Sequence, residues 1–537
     1  MSRMLRASAI MAAGTLVSRV TGFLRTAILA SAIGTAILGD AYNVAYTIPF
    51  VLLDLLITGV LSSVVVPAIV RRQKIDADGG AAYEQRLLTV AAFGLTAVAI
   101  IAVVLARPLV LLYADKLPPE GVAAAVTMAQ FILPQIAFFG VGAVAGAILN
   151  ARDRFAAPMW APVLNNVVVI GVAAAYLLSD GPSEIGQVTH ADLVLLGLGT
   201  TAGIVAQAFV LVVSLLRAGV RFRPRFDLRN AGLGEMARLG AGALAFTVIN
   251  QVGFVITTNL AVGAGAAAAE EGVHGRGLTP YSYAFQLFQL PYGIIAVSVI
   301  TALLPRLSRF VHDKDFASAR EEFAGGVRTV SALIVPAGLL LMVLGPSVTV
   351  LIFGRGAVSV EQAIYIGNVL QVFGLALVPF SVFQLLLRVF YSFGDTRTPA
   401  VIAGANVLVN AAIGLTLYFT VPPDLVVMGL AGSFTVTYVL ACVLTWVLAS
   451  RRVGGLGGRA VASGLMRMYL AAIPAALVAL AVLWASVRIA EVTVLSSLVV
   501  LVVGGGLALG VYLALAHRLG IQEVRSIIGM VTRRVGR

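Results

Sequence analysis

The chain has 537 residues, of which 60% are hydrophobic and only 11% charged. A soluble domain carries roughly 25% charged residues, so a soluble fold is excluded, and apolar runs near 20 residues along the whole length indicate a polytopic helical membrane protein. The net charge of +13 sits mostly in short loops between those runs; that is the positive-inside pattern, with attraction to anionic lipid surfaces as its by-product, and it argues against nucleic acid as a partner.

Fourteen spans are predicted, near residues 8–33, 41–69, 87–112, 122–149, 157–179, 193–216, 236–263, 280–304, 329–353, 362–391, 399–421, 425–450, 468–489 and 493–516. Met1-Ser2-Arg3 leads into the first of them without a polar region or small-residue cleavage site, so it reads as a span and not as a removable signal. That span carries Arg19 and Arg25 within Ser18-Arg19-Val20-Thr21-Gly22-Phe23-Leu24-Arg25. A charge at membrane depth costs roughly 2.5–3.5 kcal/mol on insertion scales. Two such charges predict a cavity that receives something negative, and arginine stays charged at any depth. On a straight helix the two arginines are about 9 Å apart in rise and a third of a turn out of line; Gly22 between them permits a bend. The alternative is that each snorkels or pairs structurally.

Asp40 opens the second span, either as a first-turn acid favoured by the helix dipole or as a transport residue. Asp54, in Leu52-Leu53-Asp54-Leu55-Leu56, lies deeper and needs a basic partner or a proton. Arg19 or Arg25 is the expected partner, with a proton or cation role as the alternative. Farther on, Arg71, Arg72, Lys74 and Arg86 share one side of the membrane with Arg217, Arg221, Arg223, Arg225 and Arg229, then with Arg306, Arg309, Lys314 and Arg320, and finally with Arg451, Arg452 and Arg459. Opposite loops are short and poor in Lys and Arg, and 181–191 and 422–424 have none. The bias, with an even number of spans, places both termini in the cytoplasm. The tail after Ala516 reads as a surface-lying basic amphipathic helix, with Ile521, Val524, Ile528 and Val531 on one side.

Asn250 on the seventh span and Asn406 and Asn410, spaced i, i+4 on the eleventh, form a weak candidate ion site. Interhelical hydrogen bonding is the commoner use of membrane asparagine. The run Val453-Gly454-Gly455-Leu456-Gly457-Gly458 lacks the Lys-Ser/Thr of a phosphate loop. The single cysteine, Cys442, excludes an intramolecular disulfide and a cysteine metal cluster. Neither a zinc spacing nor a hydrolytic triad is visible, and His190, His274, His312 and His517 fall in loops or at span ends. No enzyme activity, cofactor or metal is expected.

Two segments repeat at an offset of 241 residues: Leu149-Asn150-Ala151-Arg152-Asp153-Arg154-Phe155-Ala156-Ala157-Pro158 with Asn165, and Phe390-Tyr391-Ser392-Phe393-Gly394-Asp395-Thr396-Arg397-Thr398-Pro399 with Asn406. Each is a span end, a polar turn, then a proline opening the next span, where its missing N–H costs little. A second pair, around Pro49 and Pro67 and around Pro291 and Pro305, agrees. An offset of six spans gives parallel halves, whose substrate site is expected near the midplane. The expected fold is all-α: an N-terminal six-helix lobe (1–225), a C-terminal six-helix lobe (226–455), and two further helices with a basic tail (456–537).

The chain resembles the MurJ (MviN) family, lipid II flippases of the MOP exporter superfamily. The resemblance is carried by Ser18 to Arg25 as quoted, Gly39-Asp40-Ala41, Pro49, Gly59, Ser62, Val66-Pro67, Ala147-Ile148-Leu149-Asn150, Arg154 to Pro158, Phe390-Tyr391-Ser392 and Asp395 to Pro399. It implies a substrate, the undecaprenyl-diphosphate-linked disaccharide-pentapeptide, moved from the inner to the outer leaflet by alternating access. It also implies membrane lipids and cell-envelope synthesis proteins as partners. The chain departs from the family at Leu53, where members carry arginine, at Phe285, Gln286 and Gln289, where they carry Asp, Arg and Glu, and at Thr58, where they carry an acid. Two of four cavity arginines thus remain, and Gln286 and Gln289 can hydrogen-bond sugar or phosphate without neutralising it. A flippase for another polyprenyl-linked oligosaccharide or another MOP-type exporter is the alternative, and a non-transporting scaffold for envelope enzymes is a third reading.

Overall fold

The computed structural model describes residues 3–55, 66–227 and 233–525. Thr58, Gly59 and Ser62 and the tail beyond Arg525, with Ile528 and Val531, lie outside the described residues, which contain no strand. The membrane helices, in chain order, are α1 Arg3–Ile33, α2 Ile37–Leu53, α3 Ala81–Val104, α4 Pro119–Ala151, α5 Ala156–Leu178, α6 His190–Arg217 and α7 Leu233–Glu270. They continue as α8 Leu278–His312, α9 Phe316–Phe353, α10 Val360–Ser392, α11 Arg397–Thr420, α12 Pro423–Val453, α13 Gly458–Ile489 and α14 Val494–Arg518. All but α2 are long and apolar enough to cross a bilayer by themselves, and the series follows the predicted spans one for one. Local chemistry sets the ends. Thr189 with Asp192, Ser359 with Gln362 and Thr493 with Ser496 close capping boxes at the starts of α6, α10 and α14.

The chain divides into two compact units, Met1–Ala266 and Ala267–Arg537. In the first, α1 packs along α5, α5 on α6, α6 on α4 and α2 on α4. Small residues seat α1. A Cβ on Gly14 would stand 2.9 Å from the Trp160 indole nitrogen, and one on Gly22 would stand 3.4 Å from Asn166 Nδ2. Asn166 donates to the Ser18 carbonyl (3.1 Å) and to Thr21 Oγ1 (3.0 Å). Gly22 therefore serves close helix approach, and α1 runs unbroken through both arginines.

In the second unit α9 packs on α10 and α13, α10 on α12, and α13 on α14. Rings of Phe285, Phe288, Phe373, Phe380, Phe434 and Tyr438 interlock, mostly edge-on or tilted, with centroids from 4.4 Å (Phe434–Tyr438) to 5.9 Å (Phe380–Phe434). Tilted and edge-to-face pairs at this spacing add to the stabilisation from burial alone. The start of the tail does not lie on the surface. Ile521 and Val524 are buried in the core that Ala332, Ala472 and Tyr512 build, and Glu523 pairs with Arg328 at 3.1 Å. The apolar stripe that reads as lipid-facing is taken up by protein.

The repeat is exact at its turns. Asp153 and Gly394, 241 residues apart, both adopt left-handed backbone, with φ of 57° and 70°. Arg154 N–H donates to the Leu149 carbonyl (2.9 Å), and Asp395 N–H donates to the Phe390 carbonyl (3.0 Å), again 241 apart. This is the 6→1 bond of a Schellman helix end. In the second turn burial alone would raise the Asp395 carboxyl, but the Thr398 N–H and hydroxyl and the Arg397 N–H hold it below the usual carboxylate range.

One buried ion pair ties the first unit at the same end. Glu84, 1% exposed, accepts from Arg152 Nη2 (2.7 Å), Arg152 Nε (3.2 Å) and Gln73 Nε2 (3.1 Å). It joins α3, the end of α4 and the short helix Val66–Ile75. Removing Glu84 leaves the half-buried Arg152 guanidinium and the Gln73 amide without their acceptor. Glu84→Ala is therefore expected to cost about 1–3 kcal/mol and Glu84→Gln less, read as the fall in unfolding temperature of the purified protein. An unchanged melting temperature for Glu84→Ala would contradict this role.

Candidate functional site

Helix α2 builds the candidate site. Tyr42, Tyr46, Phe50 and Asp54 recur every four residues and so share one face. The Tyr42 and Tyr46 rings stack at 6.0 Å, Tyr46 and Phe50 lie 4.9 Å apart at 51°, and Phe50 meets Phe139 of α4 edge-on at 5.9 Å. Tyr42 is anchored by a 2.8 Å hydrogen bond between its hydroxyl and that of Thr200. The Arg25 guanidinium lies over the Tyr46 ring, 5.5 Å from its centre. A cation held on a ring face gains electrostatic attraction and keeps its fork oriented. Arg25 is half-buried, whereas Arg19 is exposed.

Beyond Tyr46 the same face opens into a cavity of about 470 Å³, lined by Tyr46, Thr47, Phe50, Val51, Leu53, Asp54, Phe139, Gln251 and Phe254. Asp54 and Leu55 carry π-helical backbone just past the end of α2, a distortion that recurs at functional sites. Asp54 does not pair with either arginine. Its Oδ2 accepts from Gln251 Nε2 of α7 at 2.9 Å. The reason is distance: Arg25 sits at the level of Tyr46, eight residues or about 12 Å up α2, too far for an ion pair. Gln251 supplies a hydrogen bond but no charge.

The remaining predicted residues are spread over the two units. Asp40 is buried in the first turn of α2, where the helix N-terminus favours a carboxylate. Gln286, half-buried, and Gln289, exposed, lie on α8 of the second unit. Phe285 beside them belongs to the aromatic cluster of the second unit. Asn250 spends its amide on its own helix, donating to the Phe246 carbonyl at 2.7 Å. Asn410 accepts from Ser433 at 2.6 Å, joining α11 to α12. Asn406 is half-buried on α11. Among the described residues no three His, Cys, Asp or Glu side chains cluster as metal ligands.

Sequence reasoning missed Gln251, Tyr46 and Phe139. The signal for Gln251 was present: it follows Asn250 directly, and two adjacent amides inside an apolar span cannot both face lipid cheaply.

A family model described as "Lipid II flippase MurJ" matches residues 29–504. A probable lipid II flippase MurJ of Rhizobium meliloti is 29% identical over 428 residues, covering 78% of this chain and 75% of that protein. The lipid II flippase MurJ of Burkholderia cenocepacia is 28% identical over 76% of each chain. Among solved structures, a lipid II flippase MurJ in an inward closed conformation superposes with a TM-score of 0.73 at 18% identity, over 97% of this chain and all of that one. A multidrug resistance MATE family transporter of the MOP superfamily gives 0.61 at 15% identity, over 81% and 94% of the two chains.

The Asp54–Gln251 bond makes a stability prediction. Gln251→Leu leaves a carboxylate without its donor in an aromatic cavity and is expected to cost about 1–3 kcal/mol. The double replacement Asp54→Leu with Gln251→Leu removes both partners and recovers most of that loss. Unfolding temperatures of these two variants and of Asp54→Leu alone measure the coupling, and additive losses would contradict it.

Proposed function

The chain belongs to the MurJ family of lipid II flippases, and from that membership we propose how its residues carry the substrate. It is a multi-pass membrane transporter of lipid II and not an enzyme. Its task is to move a head group with two phosphate charges through hydrocarbon. Arg25 receives the diphosphate: its guanidinium keeps its charge at any depth, offers paired donors to phosphate oxygens, and is held in place by the Tyr46 ring. Arg19, exposed on α1, makes the earlier contact as the head group enters. Asp40 keeps the first turn of α2 rigid beneath them, and Gln286 and Gln289 hydrogen-bond sugar hydroxyls. Transport proceeds by alternating access, from the inner to the outer leaflet. Both termini face the cytoplasm, as the arginine-rich loops require, and the working neighbours are enzymes of cell-envelope synthesis. The observation that carries this reading is Arg25 at membrane depth, seated on a tyrosine at the edge of an aromatic cavity.

Complementation of a strain depleted of its own flippase tests it. Arg25→Ala is expected to abolish growth at normal membrane levels of the protein, and Arg25→Lys to restore it partly, since lysine keeps the charge and loses the fork. Arg19→Ala should weaken complementation. Full growth with Arg25→Ala would overturn the assignment. Orientation has its own test in a Cys442→Ala background. A cysteine at Ser183 should react with an impermeant thiol reagent from outside, and one at Arg223 only after permeabilisation. The reverse pattern would invert the topology.

A further inference from the structure

We propose that the cavity at Asp54 is a binding site for a primary ammonium group. On the reading that the substrate is lipid II, its ligand is the free side-chain amine of the diamino acid in the stem peptide.

The first argument is charge. Asp54 Oδ2 takes a hydrogen bond from Gln251, and among the described residues Oδ1 receives none. An amide satisfies one lone pair and leaves the negative charge in place. A carboxylate kept at membrane depth calls for a cation.

The second is the lining. Tyr46, Phe50, Phe139 and Phe254 wall the space around that single carboxylate, with Phe50 tilted at 51° to Tyr46 and edge-on at 77° to Phe139. Aromatic faces carry the negative side of the ring quadrupole, and rings gathered around one acid form the cage by which amines are recognised.

The third is size. A hard metal ion takes about six to eight oxygens at close range, whereas this cavity offers few oxygens and about 470 Å³ of room, mostly between rings. That space suits an amine on a carbon chain and not a bare ion.

The fourth is order along α2. Asp54 lies about 12 Å beyond the level of Tyr46, where Arg25 is seated. A molecule with a diphosphate at one end and an amine farther out on its peptide, beyond the sugar, meets a cation and then an anion in that order along α2.

The test uses the full chain in lipid nanodiscs and three probes: lipid II with a lysine in the stem, the same lipid with that lysine Nε-acetylated, and undecaprenyl diphosphate. The wild type should bind the acetylated lipid about tenfold more weakly than the free amine, the loss expected for a desolvated cation–π and ion-pair contact. Asp54→Asn, which keeps the shape and the bond to Gln251, should lose the same factor for the free amine and no longer distinguish the two lipids. Phe139→Leu, with the carboxylate intact, should lose part of the discrimination. Undecaprenyl diphosphate should bind all three proteins alike. Equal wild-type affinity for both lipids, or discrimination retained by Asp54→Asn, overturns the proposal. So does a sodium dependence of acetylated-lipid binding that Asp54→Asn abolishes, since the occupant is then inorganic. Undecaprenyl diphosphate binding that ignores Arg25→Ala would instead sink the diphosphate assignment, and the acetylation comparison would still decide the ammonium site.

Discussion

Hydrocarbon tolerates a charge only where a neighbour holds it, and the first unit carries two charged groups on α1 and α2, Arg25 and Asp54. The arginine rests on the Tyr46 ring and the aspartate takes a hydrogen bond from Gln251. Each contact orients its group on a helix that is itself packed against its neighbours, and on the proposed reading the charges of the substrate meet them there.

The surrounding structure is built to hold those two groups still. Gly14, Gly22 and Asn166 lock α1 onto α5 on either side of Arg19. Tyr42 is tied to α6 through Thr200, and Phe50 is braced by Phe139 of α4. The Glu84–Arg152 pair fixes the far ends of α3 and α4. In the second unit the work is done by apolar contact instead, with Phe285 and Phe288 inside one ring cluster.

Much of this was legible in the sequence, and the reasons are physical. Spans follow from hydropathy because backbone groups in hydrocarbon leave no alternative to the helix. The repeat could be seen because polar turns demand particular residues: Asp153 and Gly394 stand where the left-handed conformation is required. Arg25 announced itself by its cost. The partner of Asp54 did not, since a neutral glutamine 197 residues away is inconspicuous beside two arginines nearby in sequence. The tail was misread for a related reason. An amphipathic stripe such as Ile521 and Val524 specifies an apolar neighbour, and lipid and protein satisfy it equally.

The central claim is that this chain exposes lipid II at the outer leaflet by way of Arg25. The direct measurement is the fraction of lipid II cleaved by an impermeant enzyme added outside cells that depend on this chain. With the wild-type chain most of the lipid should be cleaved, and after depletion, or with Arg25→Ala at equal abundance, it should stay protected inside. Unchanged cleavage after depletion would contradict the account.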